Sequence, residues 1–295
     1  MKKQYYYHNV CNFCNARDRR ILFSFSEQNL VRCSNCKLVY FDNQRIDLEE
    51  LYNGDYYSTG EGNSTANYAD YQTQEETIKK NFSFAYSYIT KKRSIKKKRL
   101  LEIGPGYGYF LKNLPSSISS DGVEVSKEAV LYMKKERIKI TEGDFLDVKL
   151  KQDYDFIVAF DVIEHQIYLK QYLQKVLHHL KPNGTFIITT PDFSSLPNKL
   201  LGKRAPTIQP LYHNYYFDKQ WLIEQMPRMG FKIVSIKTEY FAYLSVGQII
   251  LLSSFAFPFL HKLHLAKLAQ KLNIDNVVLP FFRLGGIECI MQKTD

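Results

Sequence analysis

A chain of 295 residues holds enough material for one large domain, or for a core with a small appendage. An apolar fraction of 45% and a charged fraction of 24% exclude a fibrous or low-complexity protein. The net charge of +10 is weighted to the front, where residues 1–99 carry 17 Lys/Arg against 11 Asp/Glu.

Met1-Lys-Lys leads into Gln, three tyrosines, His and Asn rather than an apolar run. No secretory signal is read there, so the chain is expected in the cytoplasm with its cysteines reduced. Four of the five cysteines then fall as Cys11-x2-Cys14 and Cys33-x2-Cys36. Each pair sets two thiolates on a tight turn, and two pairs a hairpin apart close a tetrahedral four-thiolate site. Residues 1–45 are therefore read as a zinc ribbon with short strands at 21–25 and 30–32. With every ligand supplied by protein, the Zn2+ would be structural. His8 is a neighbour rather than a ligand, and Cys289 reads as a small buried side chain in a terminal strand.

Residues 46–98 form a connector. From 42 to 67 the chain is polar with interspersed tyrosines and reads as loop with weak helix; from 68 to 90 the spacing of Ile78, Phe82, Ala85, Tyr86 and Ile89 is helical. Seven positive charges between Lys91 and Arg99 read either as a polyanion patch or as a solvated helix end.

From 99 to 295 strands alternate with helices. Strands are predicted at 99–103, 121–125, 138–141, 154–160, 185–190, 231–239 and 286–292, and helices at 107–114, 126–136, 167–180 and 218–229. Such alternation implies right-handed crossovers and a mostly parallel sheet, with ligands at the carboxyl ends of its strands. Insertions interrupt it at 191–217 and 240–284. Within the second, residues 240–260 carry no formal charge and are long enough to cross a bilayer. The strand expected after it returns to the same sheet, so the stretch reads as buried helices forming a lid. The other reading is an apolar surface that docks on the inner membrane face or holds a lipid-linked acceptor, with His261, Lys262, Lys267 and Lys271 as a basic edge.

The first strand ends in Glu102-Ile-Gly104-Pro-Gly106-Tyr-Gly108, three glycines at alternate positions. Glycines there admit positive φ and close approach of a ligand to the backbone. Position 109 is Tyr, so the dinucleotide pattern Gly-x-Gly-x-x-Gly is not met and an NAD-dependent oxidoreductase is disfavoured. Glu124, 20 residues after Gly104, suits a carboxylate that accepts from two ribose hydroxyls. Gly143-Asp144-Phe145 and Phe160-Asp-Val-Ile-Glu-His165 follow in order.

Taken together these motifs resemble the class I S-adenosylmethionine (SAM)-dependent methyltransferases, and more narrowly bacterial small-molecule methyltransferases with an N-terminal zinc ribbon. The resemblance implies a Rossmann-like α/β sheet whose last strand is antiparallel, with a small ribbon and a helical C-terminal insertion. It implies that Gly104, Gly106 and Gly108 pass under the methionine part of SAM while Glu102 fixes its amino end. Glu124, with Val125 beside it, takes the ribose; Asp144 takes the adenine amino group, with Phe145 against the ring. Phe160 completes the cofactor set. The Glu164-His165 pair sits at the mouth, where His165 is the candidate base, and Asp161 either joins it or orients the loop. His213, followed by Asn and an aromatic run, would face the substrate. His178, His179, His261 and His264 read as surface residues.

An Asn/Asp-Pro-Pro-Tyr segment, common where base or amide nitrogens are methylated, is replaced by Asp161-Val-Ile-Glu164. An oxygen acceptor on a small molecule or saccharide is therefore favoured, with carbon or another nitrogen left open: a sugar nucleotide, a glycan or a lipid-linked glycan. Two rival readings are an RNA methyltransferase gripping through the ribbon and basic run, and a SAM-binding protein without turnover.

Overall fold

The structure, a computed structural model, describes residues 5–46, 75–91, 97–151, 153–247, 249–250, 253, 265–275 and 277–294. It opens on five short strands: β1 (Tyr5–Tyr7), β2 (Arg19–Ser24), β3 (Asn29–Cys33), β4 (Val39–Phe41) and β5 (Asn43–Arg45). β2, β3 and β4 form the antiparallel hairpins expected between the cysteine pairs. The reading of the chain as loop from residue 42 is corrected by β5, which pairs antiparallel with β1. Nothing local marks that strand, because its partner lies at the chain start.

The main sheet holds β6 (Lys98–Ile103), β7 (Ile118–Glu124), β8 (Ile140–Glu142), β9 (Tyr154–Phe160), β10 (Leu180–Pro191), β12 (Phe231–Ser245) and β13 (Val278–Lys293). β11 (Tyr215–Tyr216) lies elsewhere. The order across the sheet is β12-β13-β10-β9-β6-β7-β8, and β13 runs antiparallel between two neighbours. The strands from β6 to β10 pair in parallel, as the alternation of strands and helices requires. Apolar runs such as Phe156–Ala159 and Phe186–Ile188 are buried throughout, as expected of strands covered on both faces. At the other end from the glycine turn, the Asp155 carboxylate gathers Lys98 (2.8 Å) and Lys181 (2.7 Å), tying the starts of β6, β9 and β10. Those two lysines hold its pKa below the usual carboxylate range against the opposing effect of burial.

Local signals set the helix ends. The helix Lys127–Lys135 starts where Ser126 accepts from the Ala129 N–H, and Lys219–Met229 where Asp218 accepts from the Trp221 N–H at 2.7 Å. Gly230, at φ +101°, ends the latter. The helical stretch at 68–90 is two helices, Glu75–Asn81 and Ser83–Thr90, broken at Phe82; residues 68–74 lie outside the described residues. The helix expected at 107–114 is a single turn, Tyr109–Lys112.

The largest departure concerns the C-terminal insertion. β12 and β13 continue pairing to Ser245 and Val278, well past the strand ends expected at 239 and 286. Residues 240–245 are thus strand rather than lid helix. An uncharged run with aromatic residues suits either state, and the partner that decides lies beyond the window in which periodicity is read. Most of 246–264, with His261 and His264, lies outside the described residues. Among the described residues no helix is long and apolar enough to cross a membrane.

β11 is the fourth strand of the ribbon sheet. Tyr215 and Tyr216 pair antiparallel with Tyr40 and Val39 of β4. The insertion after β10 is therefore stitched into the ribbon, and the two share a core. Cys11, Cys33, Cys36, Leu38 and Tyr40 belong to the same buried cluster as Leu101, Tyr172 and Trp221. Phe13, between the first two cysteines, meets Trp221 edge-on at 4.9 Å.

Candidate functional site

The four N-terminal cysteines converge: each offers a sulfur, and all four sulfurs lie within 4.8 Å of one another. Cys11 and Cys36 are 3.7 Å apart, Cys14 and Cys33 3.5 Å, and all are free thiols. Asn15 and Lys37, each next after the second cysteine of a pair, take positive φ of 60° and 65°. Two like turns thus present the two pairs. His8 is buried but outside this group; its ring packs against Tyr6 and Tyr40.

The glycine turn follows β6. Gly104, Gly106 and Gly108 have φ of 66°, 56° and 73°, so the left-handed requirement is met at all three. What crowds two of them is the protein itself. A Cβ on Gly104 would come within 2.7 Å of a Val162 methyl, and one on Gly108 within 2.9 Å of Ile138. Gly104→Ala combines that clash with an unfavourable φ and is expected to destabilise the protein by about 2–4 kcal/mol. A chemical denaturation series checks this, and an unchanged midpoint would contradict the packing described.

Two carboxylates end the first two strands of the main sheet. Glu124 accepts from the Gly106 N–H (3.0 Å) and the Ser126 N–H (2.9 Å), locking the glycine turn to the end of β7. Burial lifts its pKa to about 7, against the pull of those amides. Glu102 is pushed up to about 8 by burial and then by the charge of Glu124. Its Oε2 is buried without a hydrogen-bond partner, and neither carboxylate forms an ion pair among the described residues. Val125 is half-buried beside them.

Further along, Asp144 accepts from the Leu146 N–H at 2.7 Å, and burial raises its pKa. Phe145 packs inward against Tyr172, ring centroids 5.2 Å apart. Phe160, at the end of β9, stacks on Phe82 at 4.0 Å and meets Phe110 at 5.0 Å. Both rings are buried in apolar clusters.

The chain turns sharply after β9. Asp161 has φ +52°, its N–H donates to Thr189, and its Oδ1 is buried without a hydrogen-bond partner. A short turn, Ile163–His165, follows. Glu164 is buried and accepts from the Thr190 hydroxyl at 3.0 Å. The His165 and His213 rings sit 4.8 Å apart, edge to face. His165 Nδ1 is 2.8 Å from the Tyr212 carbonyl, and His213 Nδ1 3.0 Å from that of Thr207. Burial lowers the pKa of both; His213, with the charge of His165 also opposing protonation, falls to about 3. The structure brings Asp161, Glu164, His165 and His213 together at the ends of β9 and β10. Of the other histidines, His178 is exposed; His179, read as surface, is half-buried beside Asp153 at 3.7 Å.

Asn214 holds this group in place and was not singled out in the sequence. Its side chain donates to the carbonyls of His165 (3.0 Å) and Gln166 (3.2 Å), and its N–H to that of Glu164 (2.8 Å). Its own carbonyl accepts from the Phe41 N–H of the ribbon. On the same side, Asn12 and the Tyr215 hydroxyl both donate to the Ile167 carbonyl. The only sequence hint was the polar residue between His213 and the aromatic run. Next to it a cavity of about 470 Å³ opens between the ribbon hairpin tip, at Phe25 and Gln28, and residues Lys203, Arg204 and Tyr212.

Comparison with known proteins adds the following. A family model described as a methyltransferase domain matches residues 71–236, more than half of the chain. An uncharacterized protein of Methanocaldococcus jannaschii is 30% identical over 142 residues, 48% of this chain and 68% of that protein. A ubiquinone biosynthesis O-methyltransferase of Rickettsia typhi is 31% identical over 103 residues, 32% of this chain and 42% of the enzyme, so the match spans less than half of that relative. Among solved structures, magnesium protoporphyrin IX methyltransferase of Synechocystis PCC 6803 with bound SAH superposes with a TM-score of 0.53. That alignment covers 84% of this chain and 98% of the other at 10% identity, a likeness of fold.

Proposed function

Because the chain belongs to the class I SAM-dependent methyltransferases, we propose that it methylates an oxygen of a small molecule or saccharide, with SAM held by Glu102, the glycine turn, Glu124 and Asp144. The observation that carries the donor half is the pair Glu102 and Glu124, two buried carboxylates that form no ion pair among the described residues. A ligand bearing an ammonium and a sulfonium suits that pair; a pyrophosphate would be repelled. Glu102, with its orphaned Oε2, takes the amino end, and Glu124 the ribose. Phe145 and Phe160, packed in apolar clusters at the strand ends, border the cofactor, Phe145 beside the adenine.

Oxygen is favoured by the absence of a Pro-Pro-Tyr segment after β9 and by the kinship with an enzyme named as an O-methyltransferase. The acceptor lies against Asp161, Glu164, His165 and His213, at the ends of β9 and β10. His213, held to about 3, is a weak proton acceptor at neutral pH. The sulfonium supplies the electrophilic methyl; the chain's part is to align the acceptor with it and exclude water.

The ribbon, residues 1–45, holds one structural Zn2+. Sulfurs around a tetrahedral zinc with bonds of about 2.3 Å lie about 3.8 Å apart, close to the 3.5 and 3.7 Å seen here. Residues 46–98 connect it to the methyltransferase domain of residues 99–295.

Calorimetry tests the donor reading. Glu102 and Glu124 bind protons more tightly folded than unfolded, so the ligand-free protein loses stability as pH rises from about 4.5 through about 8. A cationic ligand prefers both carboxylates charged. SAM binding at pH 7 is therefore expected to release a proton, seen as a heat that changes with buffer ionisation enthalpy, and affinity should rise with pH up to about 8. Absence of any SAM binding would overturn the reading. A screen for SAH release over sugar nucleotides, glycans and hydroxylated aromatics tests the acceptor, and turnover of aromatics alone would exclude saccharides.

A further inference from the structure

We infer that Glu164, His165 and His213 form a divalent metal site of the two-histidine, one-carboxylate type at the acceptor end, separate from the four-cysteine site. Each offers a donor atom, and the three atoms lie within 4.8 Å of one another. A divalent ion with bonds of about 2.0–2.2 Å draws its donors to roughly 3.3 Å apart, an adjustment within reach of small side-chain rotations.

Three further features fit an ion. The side chains of metal ligands are commonly fixed from behind by hydrogen bonds to carbonyls or other polar groups. Here Tyr212 and Thr207 carbonyls take the two histidine Nδ1 atoms, and the Thr190 hydroxyl donates to Glu164. The two loops are also cross-braced by Asn214, so the donors are held on a rigid frame rather than on independent chain ends. Finally, Asp161 adds a second carboxylate, with a buried Oδ1 lacking a hydrogen bond and a charge that bears on His165. Two carboxylates balance a dication.

The donor set of two imidazoles and a carboxylate suits zinc, manganese, cobalt or ferrous iron, and three protein ligands leave positions open. An acceptor hydroxyl bound there is acidified and gives its proton to water. Its oxygen then forms a bond to the SAM methyl as the carbon–sulfur bond breaks and its electron pair stays on sulfur, leaving a methyl ether and SAH. This role rests on the acceptor reading above; the binding of an ion does not.

The experiment uses the 295-residue chain prepared with one Zn2+ per chain, held at the four-cysteine site, and titrated with Co2+ without SAM or acceptor. One Co2+ per chain is expected, with weak visible bands of nitrogen and oxygen ligation and no intense thiolate charge-transfer band. Glu164→Gln and His213→Ala should each weaken binding at least about tenfold, a ligand loss being no milder than loss of an outer-shell partner. Thr190→Ala, outside the donor set, should weaken it less and serves if the others melt early. No Co2+ beyond the cysteine site, or binding that all three variants leave unchanged, overturns the inference. A protein that binds Co2+ but not SAM would defeat the donor reading and leave this one standing.

Discussion

Cys33→Ser is expected to leave the protein without zinc, to lower its melting temperature by about 10 °C or more, and to abolish methyl transfer. Structural zinc sites in small ribbons and fingers are worth roughly 10–16 kcal/mol to their folding, comparable with the whole stability of an ordinary domain. The damage should travel further than a surface appendage would allow. Cys33 and Cys36 are buried in the cluster that also holds Trp221 and Leu101. The β4–β11 ladder starts two residues after His213, and Asn12 reaches the carbonyl of Ile167, two residues after His165. Both histidine loops thus lean on the cysteine turns. The result to measure is zinc content, melting temperature and turnover together. A zinc-free variant that melts and turns over like the parent would refute the coupling.

Glu124→Ala should weaken SAM binding by about 10- to 100-fold, since hydrogen bonds to a charged group are worth about 1.5–3 kcal/mol. The carboxylate acts twice. It accepts from Gly106 and Ser126, and so holds the glycine turn in shape, and it is the acceptor proposed for the ribose. Glu124→Gln keeps the volume but turns an amide N–H toward one of those backbone donors, so it should recover little. Equilibrium dialysis with labelled SAM, beside the melting temperature, separates lost affinity from lost fold. Unaltered affinity in the Ala variant would remove Glu124 from the cofactor site.

What could be read from the sequence was what short windows encode. The cysteine spacing foretold a four-sulfur cluster because each pair needs only its own turn. The glycine turn, β9 at 154–160 and the helix beginning near residue 218 were legible for the same reason. The pairings decided by distant partners were not. β5 depends on Tyr5–Tyr7, β11 on the ribbon, and the extension of β12 on residues 278–284. The site shows the same divide. The sequence singled out Glu102, Glu124 and His165, but could not tell that Val162 fills the space over Gly104 or that Asn214 braces two loops. That Phe145 packs against Tyr172 and Phe160 against Phe82 was likewise not legible, because those neighbours come from helices that no local pattern places there.

The Asn12–Tyr215 contact joins residues 203 positions apart in the chain. A ribosome delivers the cysteine turns first, yet the last strand of their sheet emerges only when two-thirds of the protein has been made. The first hundred residues, cut off as a fragment, would present β4 as a bare edge beside exposed aromatic side chains. Closing loops of that length is entropically costly and slow, so assembly of the ribbon sheet should be among the late events of folding.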